Sequence, residues 1–548
     1  MPRRRTVALA SAAGLLALCV LAVALVVGVT QSGLGQEWVR TTLLEVIAPR
    51  VRGSLYVGRI SGNFFGGVTV DSLVIRGPDD SLFVSVGRVR VWYDVRDFLD
   101  RRVLLRRVEV ERPVVRLSQE EDGSWNYKKV LRSGPPGAPR SGRGFGDYVV
   151  ADSVAVRGGS FQLTLPWHPA DSLKGARRDS AVAAALGRKD ADIRRRGRDF
   201  ARTWRWTNGA ADLAYARLAD PDTAGRRFVV ARLDADESDP PFRWRNIRGD
   251  VRWLGDSIWA DVPHWDLAGS TGTGRAKVVW GSDLPMRYDV RVVGDSVSLR
   301  DVAWVYPTLP RTGGGRLRLS IRNDPRNLRV IDYGLSEMDV RTTGSRLRGA
   351  MTYGVGGPVL VVKDVDLRAE PVDFALIRAL NGKPFPYDWQ GTLTGTVKAR
   401  GGPLNRWQLD DARFAFADRN VPGAVTRGTA RGGLDILFPA FTKFRGLDVD
   451  VATLDLRTLT YLNPSFPRIG GTVAGRATLD SSWLDVRFRD AVLTHVDGPA
   501  APSRFTGAGR VTFGDAFMTY DLAMQAQPLS LDALARSYPA IPVRGSVG

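Results

Sequence analysis

The chain has 548 residues, a formal net charge of +20 and 44% hydrophobic residues. Its length accommodates roughly three or four domains of ordinary size. Cys19 is the only cysteine, which excludes an intramolecular disulfide framework and a cysteine-based metal centre. Glycine is abundant, with 59 residues, and long helical patterns are scarce, so the composition favours an all-β dominated fold.

Residues 7–29 form an uncharged apolar run, VALASAAGLLALCVLAVALVVGV, preceded by three arginines at positions 3–5. A hydrocarbon core about 30 Å thick needs roughly 20 apolar helical residues, so the run predicts a transmembrane anchor. The alternative is a cleaved signal peptide, but its apolar region is usually about 7–15 residues and ends in a small-residue cleavage site. The residues expected to contact the membrane as part of this anchor include Val7, Leu15, Leu16, Leu21, Leu25 and Val29.

The arginines at positions 3–5 favour the cytoplasmic side. We therefore expect a single-pass membrane protein with its N-terminus in the cytoplasm and the bulk of the chain outside it; the family resemblance described below implies the bacterial inner membrane and the periplasm. This placement argues against a nucleic acid partner. The other arginines are spread along the chain, which predicts a solvated outer face, with contact to anionic lipid head groups as the alternative.

After the anchor, apolar residues at helical spacing predict a short membrane-proximal helix over 34–47, which ends before Pro49. The pattern then changes to β-branched runs bounded by turn residues, and a slip in the alternation at Gly87 predicts a bulge. One face of these strands is apolar and the other is rich in arginine. The predicted strands are 54–60, 68–75, 82–94, 103–111 and 114–117.

Three consecutive stretches of this region have a familiar pattern: GSLYVGRISGNFFGGVTVDSLVIRGPDDSLFVSVGRVRVWYD, RRVLLRRVEVERPVVRL and EDGSWN. Together they resemble the N-terminal module of the TamB/AsmA-like family, over about residues 51–126. An anchor and a short helix in front of the module also fit that family. The resemblance implies an elongated, curved antiparallel β-groove, a repeating β-taco-like sheet with short helices between repeats.

The resemblance also implies a function. An inner-membrane-anchored periplasmic bridge would carry phospholipid along the apolar groove between the inner and outer membranes. Under this hypothesis the candidate lining residues are Val89, Val91, Val108 and Val110. The alternative is a scaffold for the assembly or secretion of outer-membrane proteins, with an outer-membrane barrel protein as partner. Alternation alone fits both an open sheet and a closed sandwich, because both give a period of two.

Residues 132–146 are rich in Pro, Gly and Ser and predict a flexible linker. Beyond it, Val182, Leu186, Ile193, Phe200 and Trp204 fall near one face of a helical pattern over 171–204, with arginines opposite. We expect this basic helix to pack on the sheet. The alternative is a helix that lies over the mouth of an apolar sheet or on a membrane surface.

From residue 213 onward one phrase returns: a short helix-like piece, a turn with two prolines, and a glycine-rich strand. The second prolines are Pro310, Pro386, Pro467 and Pro542, which are 76, 81 and 75 residues apart. This periodicity predicts an array in which each unit of several strands covers its neighbour. The fourth copy is incomplete, so we expect the front part of a longer protein, and the resemblance does not separate TamB proper from other AsmA-like members.

No motif in the chain indicates an enzyme. His168, His264 and His495 lie far apart, without metal-ligand spacing, and no G-x-S-x-G motif occurs. A glycine-rich stretch at 269–274 lacks the G-K-[ST] ending of a phosphate-binding loop. We expect no catalytic, cofactor-binding or metal-binding residues. The predicted organisation is a cytoplasmic tail (1–5), the anchor (6–29), the membrane-proximal helix and β module (30–131), the linker (132–146), strands with a basic helical insertion (147–212) and repeated groove units (213–548).

Overall fold

The computed structural model describes residues 51–548, with the gaps given at the end of this paragraph. The predicted anchor over 6–29, the helix over 34–47 and the linker over 132–146 therefore lie outside the described residues. Within the described part, the helices are too short or too polar to cross a membrane. The gaps are 64–65, 99–101, 123, 131–146, 170–172, 188–190, 198, 221, 224, 240, 280–285, 304–307, 356–360, 382–389, 403–405, 438–440, 463–465, 468 and 515–517.

The chain is all-β dominated and divides into two compact units, Met1–Tyr288 and Asp289–Gly548. The strands of the first unit are β1 (Ser54–Val57), β2 (Ile60–Asn63), β3 (Gly67–Val70), β4 (Leu73–Arg76), β5 (Leu82–Val86), β6 (Arg88–Tyr93), β7 (Val103–Glu111), β8 (Val114–Ser118), β9 (Val149–Ala151), β10 (Val154–Pro166), β11 (Asp192–Arg196), β12 (Asp199–Ala219), β13 (Arg226–Glu237), β14 (Arg243–Leu254), β15 (Ser257–Asp266) and β16 (Thr271–Val279). Its helices are α1 (Asn126–Val130), α2 (Ala176–Leu186) and a 3₁₀ turn at Val95–Phe98.

The N-terminal module, defined as β1–β8 with α1, differs from the prediction in how its long runs are used. The predicted strands 54–60, 68–75 and 82–94 are each divided into two strands. One half joins the ladder β2-β3-β6-β7, and the other joins the ladder β1-β4-β5-β8. At Gly87 the chain passes from one ladder to the other, so the residue marks a corner instead of the predicted bulge.

The two ladders of this module enclose one core. Phe83, Val84, Leu105 and Leu117 are at most 1% exposed, and they come from both ladders. Closure in this region follows from the corners, since a sheet that changes direction at each run places its two halves face to face. Burial at this level is what a closed β-sandwich produces.

The predicted helix over 171–204 is correct only for its first part. α2 ends at Leu186, and the rest forms the hairpin β11–β12, in which Ile193 pairs with Arg202. Gly187 ends the helix. Trp204 then pairs with Leu163 of β10 and joins the module's core. The spacing of these apolar residues fits a strand as well as a helix, and the available partner strand β10 decides the outcome.

The second unit is a meander in which each described strand pairs antiparallel with the next. The strand β17 (Arg287–Ser298) begins two residues before the boundary of the unit. The other strands of the meander are β18 (Gly314–Asn323), β19 (Ile331–Thr342), β20 (Ser345–Val355), β21 (Val361–Asp373), β22 (Gly391–Arg400), β23 (Arg406–Asp418), β24 (Val425–Leu437), β25 (Phe441–Asp455), β26 (Thr472–Ser482), β27 (Asp485–Val496), β28 (Ser503–Phe513) and β29 (Met518–Ala526). The short strands β30 (Leu529–Ser530) and β31 (Ser546–Val547) form a separate pair.

The four short helices expected from the repeated phrase are confirmed. They are α3 (Leu299–Val302), α4 (Phe374–Asn381), α5 (Leu456–Leu462) and α6 (Leu531–Ser537). Four strands lie between each helix and the next, if the two-residue strand β30 is not counted. Local chemistry explains where they begin. Asp455 Oδ1 accepts a hydrogen bond from the Arg457 N–H at 3.0 Å, and Ser530 Oγ accepts one from the Ala533 N–H at 3.3 Å, as N-caps do.

The same backbone hydrogen bond closes three of these helix turns. The N–H of the first helical residue donates to a glycine carbonyl just before the next strand, in the pairs Leu299–Gly313, Leu456–Gly471 and Leu531–Gly545, at 2.8–3.0 Å. The prolines lie inside the loops so closed, where they prevent the helix from continuing. The repeat predicted from the sequence is therefore a structural repeat.

Alternate strands of the second unit carry extra residues; besides the five steps given next, β17 has one at 294/297 and β25 has a second at 451/454. The register steps occur at 335/338 in β19, 369/372 in β21, 409/412 in β23, 444/447 in β25 and 488/491 in β27. At each step the bulged strand moves on by three residues while its partner moves on by two. The bulged strand therefore contains one extra residue there, which defines a β-bulge. Bulges bend a strand and increase its local twist, so these five strands are bent on the same periodic plan.

Candidate functional site

One face of the second unit is apolar across many strands. Six directly paired positions on β21–β26 form a ladder without a single polar side chain. They are Leu367, Val397, Ala412, Ala430, Val449 and Ala477. Because successive side chains on a strand point to opposite faces, the ladder defines one face of the sheet, called here the apolar face.

The positions next to that ladder show the opposite chemistry. They also pair directly with one another across the same six strands, and all are charged or hydroxyl-bearing. They are Arg368, Thr396, Arg413, Thr429, Asp450 and Arg476. This second surface is called the polar face, and the contrast shows that the sheet is two-sided over its whole middle section.

The apolar face extends toward both ends of the unit. A second ladder covers β17–β23 and a third covers β25–β29, again along directly paired positions. The second consists of Val292, Leu319, Leu335, Met351, Val365, Ala399 and Leu409. The third consists of Leu447, Leu479, Phe488, Gly509 and Leu522.

Most side chains of the apolar face are half-buried, and five ladder positions are at most 8% exposed: Val365, Ala399, Leu409, Ala430 and Leu447. Val397, Val449 and Leu479 are intermediate in exposure, and Leu522 on β29 is 46% exposed. The main hydrophobic cluster of this unit draws its members from consecutive strands of the one sheet. Two facing layers would exclude water from such side chains, so the exposure indicates a face that its own unit leaves largely uncovered.

The valines predicted to line a groove lie elsewhere. Val89 pairs with Val110, and Val91 pairs with Val108, on β6 and β7 of the N-terminal module. All four are at most 3% exposed and belong to the closed core. The structure therefore places them inside the sandwich, away from any face that a lipid could reach. The predicted anchor residues lie outside the described residues.

Ion pairs concentrate on the polar face. Arg346 contacts Asp339 at 2.7 Å on neighbouring strands, and Arg510 contacts Asp485 at 2.6 Å. The hydrogen bond from Arg346 lowers the pKa of Asp339 to about 2, since it stabilises the charged carboxylate. Such exposed pairs each contribute little to stability.

Two tyrosines lie on the apolar face near the strand ends opposite the helices. Each row of strand ends is called here an edge of the second unit. Tyr333 and Tyr353 pair directly across β19 and β20, and their rings stack with centroids 5.4 Å apart at 11°. Burial of the rings raises the pKa of both hydroxyls. Within the described residues neither hydroxyl has a hydrogen-bond partner, so both remain available to a ligand.

The helices occupy the other edge of the sheet. Phe374 of α4 packs edge-on against Phe416 of β23, with ring centroids 5.0 Å apart. Thr308 Oγ1, in the turn after α3, donates to the Leu380 carbonyl of α4 at 2.8 Å. The Gly470 N–H, in the turn after α5, donates to Ser537 Oγ of α6 at 3.2 Å. Successive repeats are thus joined along this edge.

The histidines have protein partners. His168 contacts Glu121 at 3.0 Å, His264 contacts Asp266 at 2.9 Å, and buried His495 contacts the Gly470 carbonyl at 2.8 Å. Within the described residues no three His, Cys, Asp or Glu side chains lie close enough together to hold a metal ion. These contacts stabilise turns and strand ends.

The tyrosine pair and the ladders were missed at the level of sequence. Alternation was visible in the individual strands, but the pairing of one strand's apolar position with the next strand's depends on register. A usable signal does exist: the glycines Gly395 and Gly475 follow the repeated turn at a fixed place, 80 residues apart. Fixing β22 and β26 by these glycines aligns the apolar positions of the two repeats.

Comparison with known proteins adds no identification. No family model, curated protein sequence or solved structure matches the chain.

Proposed function

We propose that the chain binds phospholipid acyl chains along the apolar face of its second unit and, tethered through residues 6–29, carries phospholipid between the inner and outer membranes. The observation that supports this most is the half-buried apolar ladder from Leu367 to Ala477, backed by a polar ladder on the other face. The same alternation in a closed sandwich would leave no surface for a lipid.

The energetics favour such a ligand. Each methylene group removed from water gains roughly 0.8 kcal/mol, so an acyl chain of about 15 methylenes gains up to about 12 kcal/mol when fully covered. Neighbouring strands lie about 4.8 Å apart, so the apolar face from β17 to β29 runs for roughly 55 Å. That length exceeds one leaflet of a hydrocarbon core about 30 Å thick, and it accommodates several lipids in a row.

The bulges supply the curvature that the proposal needs. A flat sheet would leave acyl chains exposed to water on three sides, whereas bent strands surround them. Bulges on β19, β21, β23, β25 and β27 bend the sheet repeatedly along its length. Glycines such as Gly475, with φ 139° and a carbonyl 2.0 Å from where a Cβ would stand, allow close approach next to these bends.

Photo-crosslinking in the membrane tests the proposal on the full chain. A photoreactive phenylalanine analogue is placed at position 449 on the apolar face or at position 450 on the polar face, and adducts are identified by mass spectrometry. Adjacent positions share the same backbone and expression level, so each controls for the other. We expect phospholipid adducts at 449 and few or none at 450. Equal yields at both positions, or none at 449, would overturn the proposal.

The scaffold hypothesis makes a different demand on the molecule. Templating of a client strand uses unpaired backbone groups at a sheet edge, whereas lipid binding uses the face. In the same experiment, a client protein crosslinked at 449 in place of lipid would favour the scaffold. The face-specific ladders are the reason that we rank lipid carriage first.

A further inference from the structure

The edge of the second unit that carries Tyr333 and Tyr353 also carries cations that its own acidic residues do not neutralise. Asp324 and Asp332 both contact Lys363, and Asp289 contacts Arg322 at 3.3 Å. Arg326 and Arg329, in the hairpin between β18 and β19, are exposed and have no carboxylate partner within the described residues. Two guanidinium groups of the hairpin are therefore without a carboxylate partner, while Asp324 and Asp332 share the one cation of Lys363.

The tyrosines lie on the strands that this hairpin and its neighbour join. Tyr333 follows Arg329 by four residues on β19, and it continues the apolar face through Leu335 to Met351. A side chain with an apolar ring and a polar tip suits a boundary between hydrocarbon and water, as in the aromatic belts of membrane proteins. The stacked pair therefore stands near the end of the apolar face, one step inside the Ile331–Val355 pair, and close to the cationic hairpin.

We propose that this edge, formed by Tyr333, Tyr353, Arg326 and Arg329, holds the phosphate-bearing head group of a phospholipid whose acyl chains lie on the apolar face. Guanidinium groups bind phosphate oxygens through charge-assisted, often paired hydrogen bonds. The free tyrosine hydroxyls add neutral donors directly beside the hydrocarbon. The inference rests on the proposed function and adds to it an orientation and a preference for anionic lipids.

Two phospholipid probes test this orientation on the full chain in membranes. One probe carries a photoreactive group on its head group, and the other carries it at the end of an acyl chain. The strands β19 and β20 provide the internal control, because Tyr333 pairs with Tyr353 at one end and Val340 pairs with Leu347 at the other. We expect the head-group probe to label the Tyr333–Tyr353 end and the acyl-end probe to label positions away from it.

Matched variants extend the test. R326Q/R329Q removes both unpaired guanidiniums. R368Q/R413Q makes the same change in charge on the polar face, where Arg368 contacts Glu370 and Arg413 contacts Asp411. We expect the first to lower labelling by an anionic head-group probe roughly tenfold and the second to leave it unchanged. Tyr333→Phe with Tyr353→Phe keeps the rings and should lower it less.

The outcomes separate the two proposals. If neither probe labels the apolar face, lipid binding itself fails. If the acyl-end probe labels the apolar face but the head-group probe labels the Val340–Leu347 end, lipid binding stands and the head-group site is overturned. An equal loss of labelling in R326Q/R329Q and R368Q/R413Q would also overturn it, because the effect would then follow from net charge.

Discussion

The N-terminal module and the meander β17–β29 share the same alternation of apolar and polar residues, but only the module covers its apolar side chains completely. In the module, Val108 pairs with Val91 and both are at most 1% exposed. In the meander, Val449 pairs with Ala430 and Ala477, yet it remains half-buried. The difference arises at the corners: runs in the module fold back at sites such as Gly87, whereas strands of the meander continue through bulges. Local sequence sets which residues are apolar, and the course of the chain sets whether they are covered.

A charge placed on each surface tests the contrast most severely. Val108→Asp buries a carboxylate without a partner, and we expect it to unfold the module, with a loss well above 4 kcal/mol. Val449→Asp leaves its carboxylate in contact with water, and we expect the fold to persist while phospholipid adducts at neighbouring positions disappear. Circular dichroism and limited proteolysis report folding. If both variants unfold alike, the meander's apolar face is as closed as the module's core.

Truncation of a leucine gives a smaller effect with the same logic. Leu105→Ala in the module should lower the free energy of unfolding by about 2–5 kcal/mol, because the cavity cannot collapse. Leu479→Ala on the apolar face should cost about 1 kcal/mol, since the side chain is only partly removed from water. Urea denaturation followed by hydrogen exchange of each unit measures both. Equal losses would contradict the comparison.

The bulged strands make a prediction about glycine. Gly475→Ala places a Cβ 2.0 Å from the Val492 carbonyl in a backbone with φ 139°, and we expect a loss of roughly 1–3 kcal/mol. Gly470→Ala is the matched control, because its Cβ would meet Asp497 at an ordinary 3.7 Å. Thermal unfolding of the two variants decides the point. A neutral Gly475→Ala would mean that β26 does not need this bend.

The polar face contributes least, and its contribution depends on pH. The pKa of Asp339 is lowered to about 2 by the hydrogen bond from Arg346, against about 3.9 for an unperturbed Asp. The stabilisation is therefore complete above pH 4 to 5 and is lost as the pH falls toward 2. Asp339→Asn should cost at most about 1 kcal/mol at pH 7 and progressively less as the pH falls through 2. A difference that stays undiminished through this range would assign the effect to packing.

Local signals in the sequence predicted a good part of this fold. The short helices were predicted because each copy of the repeated phrase places a helix-like piece before a turn with two prolines, and such a signal acts locally. The corners of the module were missed, because both halves of a run such as 82–94 alternate equally well. The helix over 171–204 was partly wrong, because only the presence of β10 decides that Trp204 lies on a strand.

The candidate site was likewise predicted only in part from the sequence. A two-sided sheet was predicted from alternation, but Val89 and Val108 were assigned to an open face that the structure does not give them. Whether a second layer covers an apolar face depends on residues distant in sequence, so the sequence of one strand does not contain that information. Tyr333 and Tyr353 illustrate the limit: they are 20 positions apart in the chain, and register alone brings their rings together.

The hydrogen bond Thr308–Leu380 joins the turn after α3 to α4, and the hydrogen bond Gly470–Ser537 joins the turn after α5 to α6. Stability in such an array is a sum of individual modules and nearest-neighbour contacts. Insertion or deletion of one four-strand module would therefore change the span by roughly 19 Å and leave distant modules undisturbed. Evolution could therefore lengthen or shorten such a sheet one module at a time.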